Sequence, residues 1–420
     1  MPSWRTCPDK THEKGPRLHM FNSTLKRKAA AAAASLAAAG MALTSTLVGN
    51  VPAAHADPKQ FSAFVGVGSD TIQDVFNAFA GSDNGINYTP ITSSSASGSV
   101  QVTSWNATGT NCITPKAPGA TINRPNGSGA GLIALSRAID SGTYGNTLCG
   151  SSATGKATSG LIDFGRSSAG PTQGDLGTDV TYVPFGRDGV SFAYYANGVA
   201  TPVTSLTRAQ LTTIYTTGTA QVINGVTIVP CGIQAGSGTF KFWNTVTTAN
   251  TTQEAAATNQ CNTAGNGNRI EENTASSLKA KGDALVGDEV IVGFSAAQFI
   301  AQTNGAAVST LVSGVDLGSI SDDGAGNNIG KPYTGTSAPL APNTTFYNDG
   351  TFGRNVYVIL DSGRATGAGN NDIKSLFVGS GSTICGTAAQ ATVNTFGFET
   401  PSNCGVVTIQ GSLAAAGNGP

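Results

Sequence analysis

The sequence predicts an α/β protein, and three observations predict it. Short apolar runs alternate with amphipathic helical stretches along the whole chain. The runs repeatedly end in Gly/Ser turns that open a helix. Charged residues are only 11% of the 420 residues, against 39% apolar residues and 55 glycines. A core therefore exists, and a polar, weakly charged surface surrounds it. That balance excludes a charge-rich disordered chain, a coiled coil and a basic nucleic-acid binder.

The N-terminus, from Met1 to Ala56, reads as a leader. Lys26-Arg27-Lys28 precede an Ala/Leu/Val-rich stretch from Ala29 to Val48, and Ala54-His55-Ala56 supplies a small-x-small cleavage site. Residues 1–19 are polar and lie upstream of this signal, which places the start at Met20. The expectation is a chain secreted or attached to the cell wall, cleaved after Ala56. No Cys follows the site, which argues against a lipid anchor. Cleavage leaves 364 of the 420 residues and removes seven of the 23 Lys/Arg and two of the 24 Asp/Glu, for a mature net charge of −6. An anionic ligand then needs a local site rather than a global field.

All three histidines, His12, His19 and His55, fall in the leader. A mature chain without histidine cannot build a Ser-His-Asp or Cys-His unit or an imidazole metal site. The expectation is a protein that is not an enzyme, with no cofactor and no metal. Six cysteines remain, and their spacing favours neighbouring pairs: Cys112–Cys149, Cys231–Cys261 and Cys385–Cys404.

Element by element, Phe61 to Val67 reads as a strand ending in Gly68-Ser69-Asp70-Thr71. Ile72, Val75, Phe76 and Phe79 fall at i, i+3, i+4 and i+7 and predict a helix. Asn126-Gly127-Ser128-Gly129-Ala130-Gly131 opens a second helix carrying Leu132, Leu135 and Ile139. Leu161 to Phe164 is a short strand before Gly165-Arg166-Ser167-Ser168. Val180 to Phe185 and Val190 to Tyr195 read as two strands, with Gly186-Arg187-Asp188-Gly189 as the turn between them; the alternative makes Arg187-Asp188 a hinge salt bridge or a ligand contact. Leu206-Thr207 starts a helix, and Val226 to Val229 is a strand. Gly236-Ser237-Gly238-Thr239 opens a helix with Phe240 and Trp243, and a polar stretch runs from Thr247 to Asn273. Val290 to Phe294 is a strand, Ser295 to Gln302 a helix, 313–350 a long loop region, Val356 to Leu360 a strand and 371–378 a helix.

Three of these turns share one pattern. A helix N-terminus presents unpaired N–H groups and a partial positive charge, and glycine lets a ligand approach the backbone. The candidate anion-binding residues are therefore Ser69 and Asp70, Ser128 and Gly129, Arg166, Ser167 and Ser168, and Ser237, Gly238 and Thr239. Arg166 is the only full positive charge within these turns. Asp70 beside an anion requires a proton on one of the two, which favours hydrogen phosphate over sulfate. The plain alternative makes Asp70 a helix cap pointing away from the ligand. Glu271-Glu272-Asn273 reads as capping or preceding a helix, and the alternative is a ligand role across the cleft. Ser276-Ser277-Leu278-Lys279 matches a nucleophile motif without its companion boxes in the right order and reads as a coincidence.

The ordered set Gly66-Val67-Gly68-Ser69-Asp70, Gly127-Ser128-Gly129-Ala130-Gly131, Phe164-Gly165-Arg166-Ser167-Ser168, Val183-Pro184-Phe185, Leu206-Thr207 to Ile214-Tyr215 and Gly236-Ser237-Gly238-Thr239 resembles the phosphate-binding (solute-binding) proteins of ABC transporters. The tail, with Phe377-Val378-Gly379 and Phe396-Gly397-Phe398, looks like a secreted branch of high-GC Gram-positive bacteria. The resemblance implies a two-lobe periplasmic-binding-protein fold of type 2, joined by two crossing strands, with the ligand clamped between lobes. It implies lobe 1 from 57–187, lobe 2 from 188–295 and a return to lobe 1 over 296–420. It further implies a monomer that binds a small anion such as phosphate and hands it to an ABC permease, with no role for nucleic acid. Two positions depart from that family's pattern: Ile233 stands where it has Arg, and Ser168 where it has Asp. Arg166 and Asp70 are then the neighbouring replacements, or the ligand is another one. The second functional reading is a secreted wall or surface interaction protein that keeps the fold without the transport ligand.

Overall fold

The computed structural model describes residues 57, 64–94, 100–150, 155–171, 177–262 and 267–415. The leader and its cleavage site lie outside the described residues. Among the described residues no helix is long and apolar enough to cross a membrane.

The elements that position the site are, in chain order, β1 (Phe64–Gly68), α1 (Gln73–Phe79), β2 (Val102–Ser104), α2 (Gly127–Ile139), β3 (Phe164–Ser167), β4 (Val180–Ala196), α3 (Arg208–Thr216), β5 (Gln221–Ile223), β6 (Val226–Pro230), α4 (Gly238–Val246), α5 (Thr251–Thr258), α6 (Ala275–Asp283), β7 (Glu289–Ser295), α7 (Ala296–Thr303), β8 (Gly353–Asp361), α8 (Asn371–Phe377) and α9 (Thr387–Thr395). The main sheet runs β5-β6-β7-β4-β8-β3-β1-β2. β1 is parallel to β2 and β3, β6 is parallel to β7, and β4 is antiparallel to both of its neighbours.

β4 carries the architecture. Val180 to Gly189 pair with β8, while Val190 to Ala196 pair with β7. One strand thus serves two lobes, and the change of partner falls between Gly189, opposite Gly353, and Val190, opposite Ser295. The turn expected at 186–189 is corrected here: these residues are extended and hydrogen-bonded to β8. Their glycines answer to packing rather than to turning. A Cβ on Gly186 would stand 3.0 Å from Val356 Cγ2, and one on Gly189 would stand 2.8 Å from Phe346 Cδ1.

Three apolar clusters fill the molecule. Both faces of the first-lobe part of the sheet are covered. On one face Ile72, Val75, Phe76 and Phe79 of α1 pack with Phe164, Phe185, Val358, Leu376 and Val393. The helical spacing read from the sequence is the spacing that buries these side chains. On the other face Leu132 and Leu135 of α2 pack with Val65, Val67, Tyr144 and Ile359. The second-lobe cluster gathers Leu211, Ile214, Tyr215, Trp243, Val290, Ile291 and Phe294. Val315, Leu317, Ile320, Leu340, Phe346 and Phe352 join that same cluster, and Ser205–Thr207 pairs in parallel with Ser319–Asp322. Within α7, Ala297 and Ala301 pack in the first-lobe cluster while Ala296, Phe299 and Ile300 pack in the second-lobe one, and β8 then pairs with β4 and β3. The 313–350 region is apolar enough at a few widely spaced positions to dock on the second-lobe cluster, a pattern too sparse to register as periodicity.

Local signals explain the helix starts. Thr207 caps α3 and forms a capping box with Gln210, and Ser237 caps α4 by accepting from Phe240 N. Asn250 and Gln253 form a second capping box that opens α5 inside the stretch expected to be polar loop.

The three disulfides are Cys112–Cys149, Cys231–Cys261 and Cys385–Cys404, the neighbouring pairs expected from spacing. With all six paired, thiol titration of the denatured, unreduced chain lacking its leader finds no reactive thiol; two or more would contradict this pairing. The Cys231–Cys261 bridge spans 30 residues between the end of β6 and the segment after α5. Replacing both by Ser lowers stability by about 3 kcal/mol in denaturant titration.

Candidate functional site

The sheet topology brings the turn after β1, the start of α2, the end of β3 and the start of α4 to one place, where the lobes meet. The approach is close because the contacting positions are glycines. Gly68 has φ +121°, and a Cβ there would lie 2.6 Å from Arg166 O. A Cβ on Gly238 would lie 2.4 Å from Ser128 Oγ and 2.5 Å from Ser168 Oγ, so the N-terminus of α4 in the second lobe sits directly on the two first-lobe serines. Gly129 N donates to Gly236 O at 3.0 Å across the same contact. Ser168 N donates to Ser128 Oγ at 3.1 Å.

The expected residues fall into three groups. Ser69, Asp70, Ser128, Gly129, Ser168, Ser237, Gly238 and Thr239 are brought together at the lobe interface. Ser167 turns aside, and its hydroxyl donates to Ala169 O. Arg166 is fully buried behind the first turn. Its Nε donates to Ser69 O, Nη2 to Gly68 O, and Nη1 to Ser104 Oγ and Gly66 O. The charge expected of Arg166 at the interface is therefore spent on the carbonyl end of β1, where it braces the turn. Burial pulls its pKa down to about 9, and the nearby Asp74 and Asp70 oppose that fall.

The guanidinium that does reach the interface is Arg354, from β8. It lies opposite Asp188 in the sheet register and is 4% exposed. Its Nε and Nη2 donate to Asp188 Oδ2 at 3.1 and 2.8 Å, and Nη2 also donates to Thr239 Oγ1 at 2.9 Å. Nη1 is buried with no partner. Asp188 Oδ1 accepts from Ser295 Oγ and Ala297 N, tying the end of β7 and the start of α7 to the same carboxylate. Burial raises the Asp188 pKa, while Arg354 and these donors lower it. Nothing at the sequence level marked Arg354. It stands in a strand 115 residues from Thr239, and only the antiparallel register of β4 and β8 places it there.

Glu271-Glu272-Asn273 precedes α6 and also reaches across to the first lobe. Asn126 Nδ2 of the first lobe donates to Glu271 Oε1 at 3.0 Å. Glu272 Oε2 accepts from Ser237 Oγ at 2.5 Å and from Thr71 Oγ1 at 3.3 Å. Asn273, held at φ +60°, donates from Nδ2 to Thr71 Oγ1. Gln298 Nε2 on α7 donates to Thr71 O and to Asp74 Oδ2. Burial, and then the charges of Glu272 and Glu271, hold the Asp70 carboxyl well above the ordinary carboxylate range. A cavity of about 90 Å³ lies beside these groups, lined among others by Asp70, Asp74, Glu271, Glu272 and Gln298.

Chemically the interface offers hydroxyls of Ser69, Ser128, Ser168 and Thr239, the first-turn N–H groups of α2 and α4, one guanidinium and a group of carboxyls. The Ser276–Lys279 motif lies on α6, away from these groups, where Lys279 pairs with Asp283 at 2.6 Å.

Residues 91–368 match the PBP superfamily domain, and the chain belongs to that superfamily, one of binding proteins. The turn at 68–71 precedes the matched span. Among solved structures the chain is similar to a candidate phosphate ABC transporter substrate-binding protein of Clostridium perfringens with bound phosphate, at 13% identity and a TM-score of 0.41, over 81% of this chain and 100% of that one. It is similar to an ABC-type phosphate transport receptor of Vibrio cholerae at 16% identity and a TM-score of 0.38, over 66% and 86%. It is also similar to a human phosphate-binding apolipoprotein at 14% identity and a TM-score of 0.37, over 81% and 92%. At these scores the assignment rests on the domain match. No curated protein matches the chain.

Removing one partner of a buried ion pair leaves the other charged in low dielectric. Arg354→Met therefore lowers stability by about 3–5 kcal/mol in denaturant titration, whereas the double substitution Asp188→Asn with Arg354→Met recovers much of the loss. Additive losses would show that the pair does not hold the junction.

Proposed function

We propose that this chain is an extracytoplasmic solute-binding protein that closes its two lobes over a small oxyanion, phosphate in its hydrogen phosphate form, for ABC-type uptake. The observation that carries the reading is Arg354. It brings a buried guanidinium to the Gly-Ser-Gly-Thr turn, whose usual Arg position is occupied here by Ile233. Its Nη1 is the unpaired donor that an oxyanion would satisfy, and charge-assisted bonds of this kind are the strong ones.

The remaining groups fit the same role. The helix N-termini of α2 and α4 add N–H groups and partial positive charge. Ser128, Ser168 and Thr239 add hydroxyl donors. Asp70 Oδ2, the oxygen left as an acceptor, accepts from a P–OH, which sulfate at neutral pH lacks. An acceptor facing an acceptor costs several kcal/mol, so the site discriminates between the two anions. Because the turns touch in the closed form, the solute enters only when the lobes part about the Asp188–Val190 junction, a hinge motion. Secretion and cleavage after Ala56 belong to the same reading and rest on the leader pattern. A permease partner and a monomeric state complete it.

One observation favours the second reading, a wall or surface interaction protein. Donors that would face an anion are already engaged: Gly129 N by Gly236 O of the opposite lobe, and Ser237 Oγ by Glu272 of its own lobe.

Calorimetry separates the two. Phosphate binds at one site per chain and sulfate does not. Arg354→Lys keeps a cation beside Asp188 but loses the guanidinium fork, and it weakens phosphate binding by about 30-fold or more, the ~2 kcal/mol of a lost charge-assisted pair. No heat from phosphate at millimolar concentration would reject the oxyanion reading in favour of the interaction protein.

A further inference from the structure

Asp70 and Glu272 come from opposite lobes. Asp70 ends the turn after β1, and Glu272 lies between Arg269–Ile270 and α6. Both are buried, with 7% and 3% exposure. Asp70 Oδ1 and Glu272 Oε1 each lack a donor, yet both carboxyls line one cavity of about 90 Å³, and Thr71, the chain neighbour of Asp70, donates to Glu272 Oε2 at 3.3 Å. Two carboxylates cannot hydrogen-bond without a proton, and a buried acceptor left unsatisfied is costly. One proton shared between them satisfies both oxygens.

We propose that this carboxyl pair is a proton-operated latch between the lobes, holding them together while Asp70 carries a proton and releasing them once it ionises. The inference goes beyond the oxyanion reading and does not depend on it, because the latch acts with no solute added.

The surroundings allow no other charge to replace the proton. From α1, Asp74 faces the same cavity and is held by Gln298. From the second-lobe segment, Glu271 adds a further negative charge and is occupied by Asn126 and Gln234. Ser237 and Thr71 donate to the other oxygen of Glu272. The cations nearby are turned elsewhere: Arg166 lies behind the turn on backbone carbonyls and Ser104, and Arg354 lies on Asp188 and Thr239, with Nη1 alone unpaired. Once Asp70 ionises, like charges face each other across the interface with Asp74 and Glu271 beside them, and opening returns all four to water.

The sign follows from proton counting. The closed form holds the Asp70 carboxyl protonated above the ordinary carboxylate range, while in the open form Asp70 is exposed to water. Between the two pKa values the closed form carries one more proton. Closure is therefore fully favoured at acid pH and weakens by up to about tenfold per pH unit across that window.

Small-angle X-ray scattering of the full disulfide-bonded chain without its leader, across pH 5 to 9 in phosphate-free buffer, reads the opening as a rise in radius of gyration. Wild type becomes less compact as pH rises. Asp70→Asn donates an N–H to Glu272 at every pH, so the compact form persists throughout. Glu272→Gln does the same from the other lobe and serves if Asp70→Asn fails to fold. A wild-type radius that stays flat over this range overturns the latch, as does a variant of either residue that opens with the wild-type pH dependence. If Asp74→Asn abolishes the rise and Asp70→Asn leaves it, the titration belongs to α1 and the proposal fails.

Discussion

Asp188 and Arg354 face each other where β4 leaves one lobe for the other, and most of the interface follows from that pair. Asp188 alone accepts from β8, from Ser295 at the end of β7 and from Ala297 at the start of α7. Arg354 continues the network to Thr239 at the start of α4. Four elements are thereby referenced to one carboxylate at the residue where the sheet changes partners. A buried ion pair is weak evidence for stability in general, because desolvation offsets the Coulombic gain. Its value here is geometric. It ties β7, α7, β8 and α4 together at the junction, and it brings a guanidinium into an interface otherwise built from hydroxyls, backbone and carboxyls.

Glycine sets the second constraint. The first-lobe serines and the α4 N-terminus approach within a distance that no side chain at Gly238 would allow. Charge is arranged around this contact by depth. Arg166 is withdrawn behind the first turn as a structural brace, Arg354 is at the junction, and Asp70, Glu271 and Glu272 line the seam. The seam therefore combines donors suited to an anion with acceptors that require protons. This combination supports both a protonated oxyanion as solute and a dependence of closure on proton concentration.

Much of this was legible in the sequence. The α1 periodicity, the Gly/Ser turns, the helix start at Leu206-Thr207 and the pairing of the cysteines are all local patterns, and local patterns survive in a single sequence. What escaped depends on distant register. Gly186-Arg187-Asp188-Gly189 has turn composition, yet it is extended because β8 pairs with it and because Phe346 and Val356 need the space that the glycines leave. Arg354 carries no motif and becomes part of the site only through that pairing. Glu272 lies in the other lobe, far along the chain from Asp70, and no spacing rule links them. The segment from Val315 to Phe352 docks on the second lobe through scattered apolar residues, which composition alone presents as loop.

The most direct test of the account is a crystal structure of the protein grown with phosphate, compared with one grown without it. The account predicts phosphate bound between the lobes, with Arg354 Nη1 and Thr239 Oγ1 within hydrogen-bond distance of its oxygens, and any change in lobe angle centred on Asp188 to Val190. Phosphate bound elsewhere, or bound at the interface with Arg354 making no contact to it, would contradict the central claim.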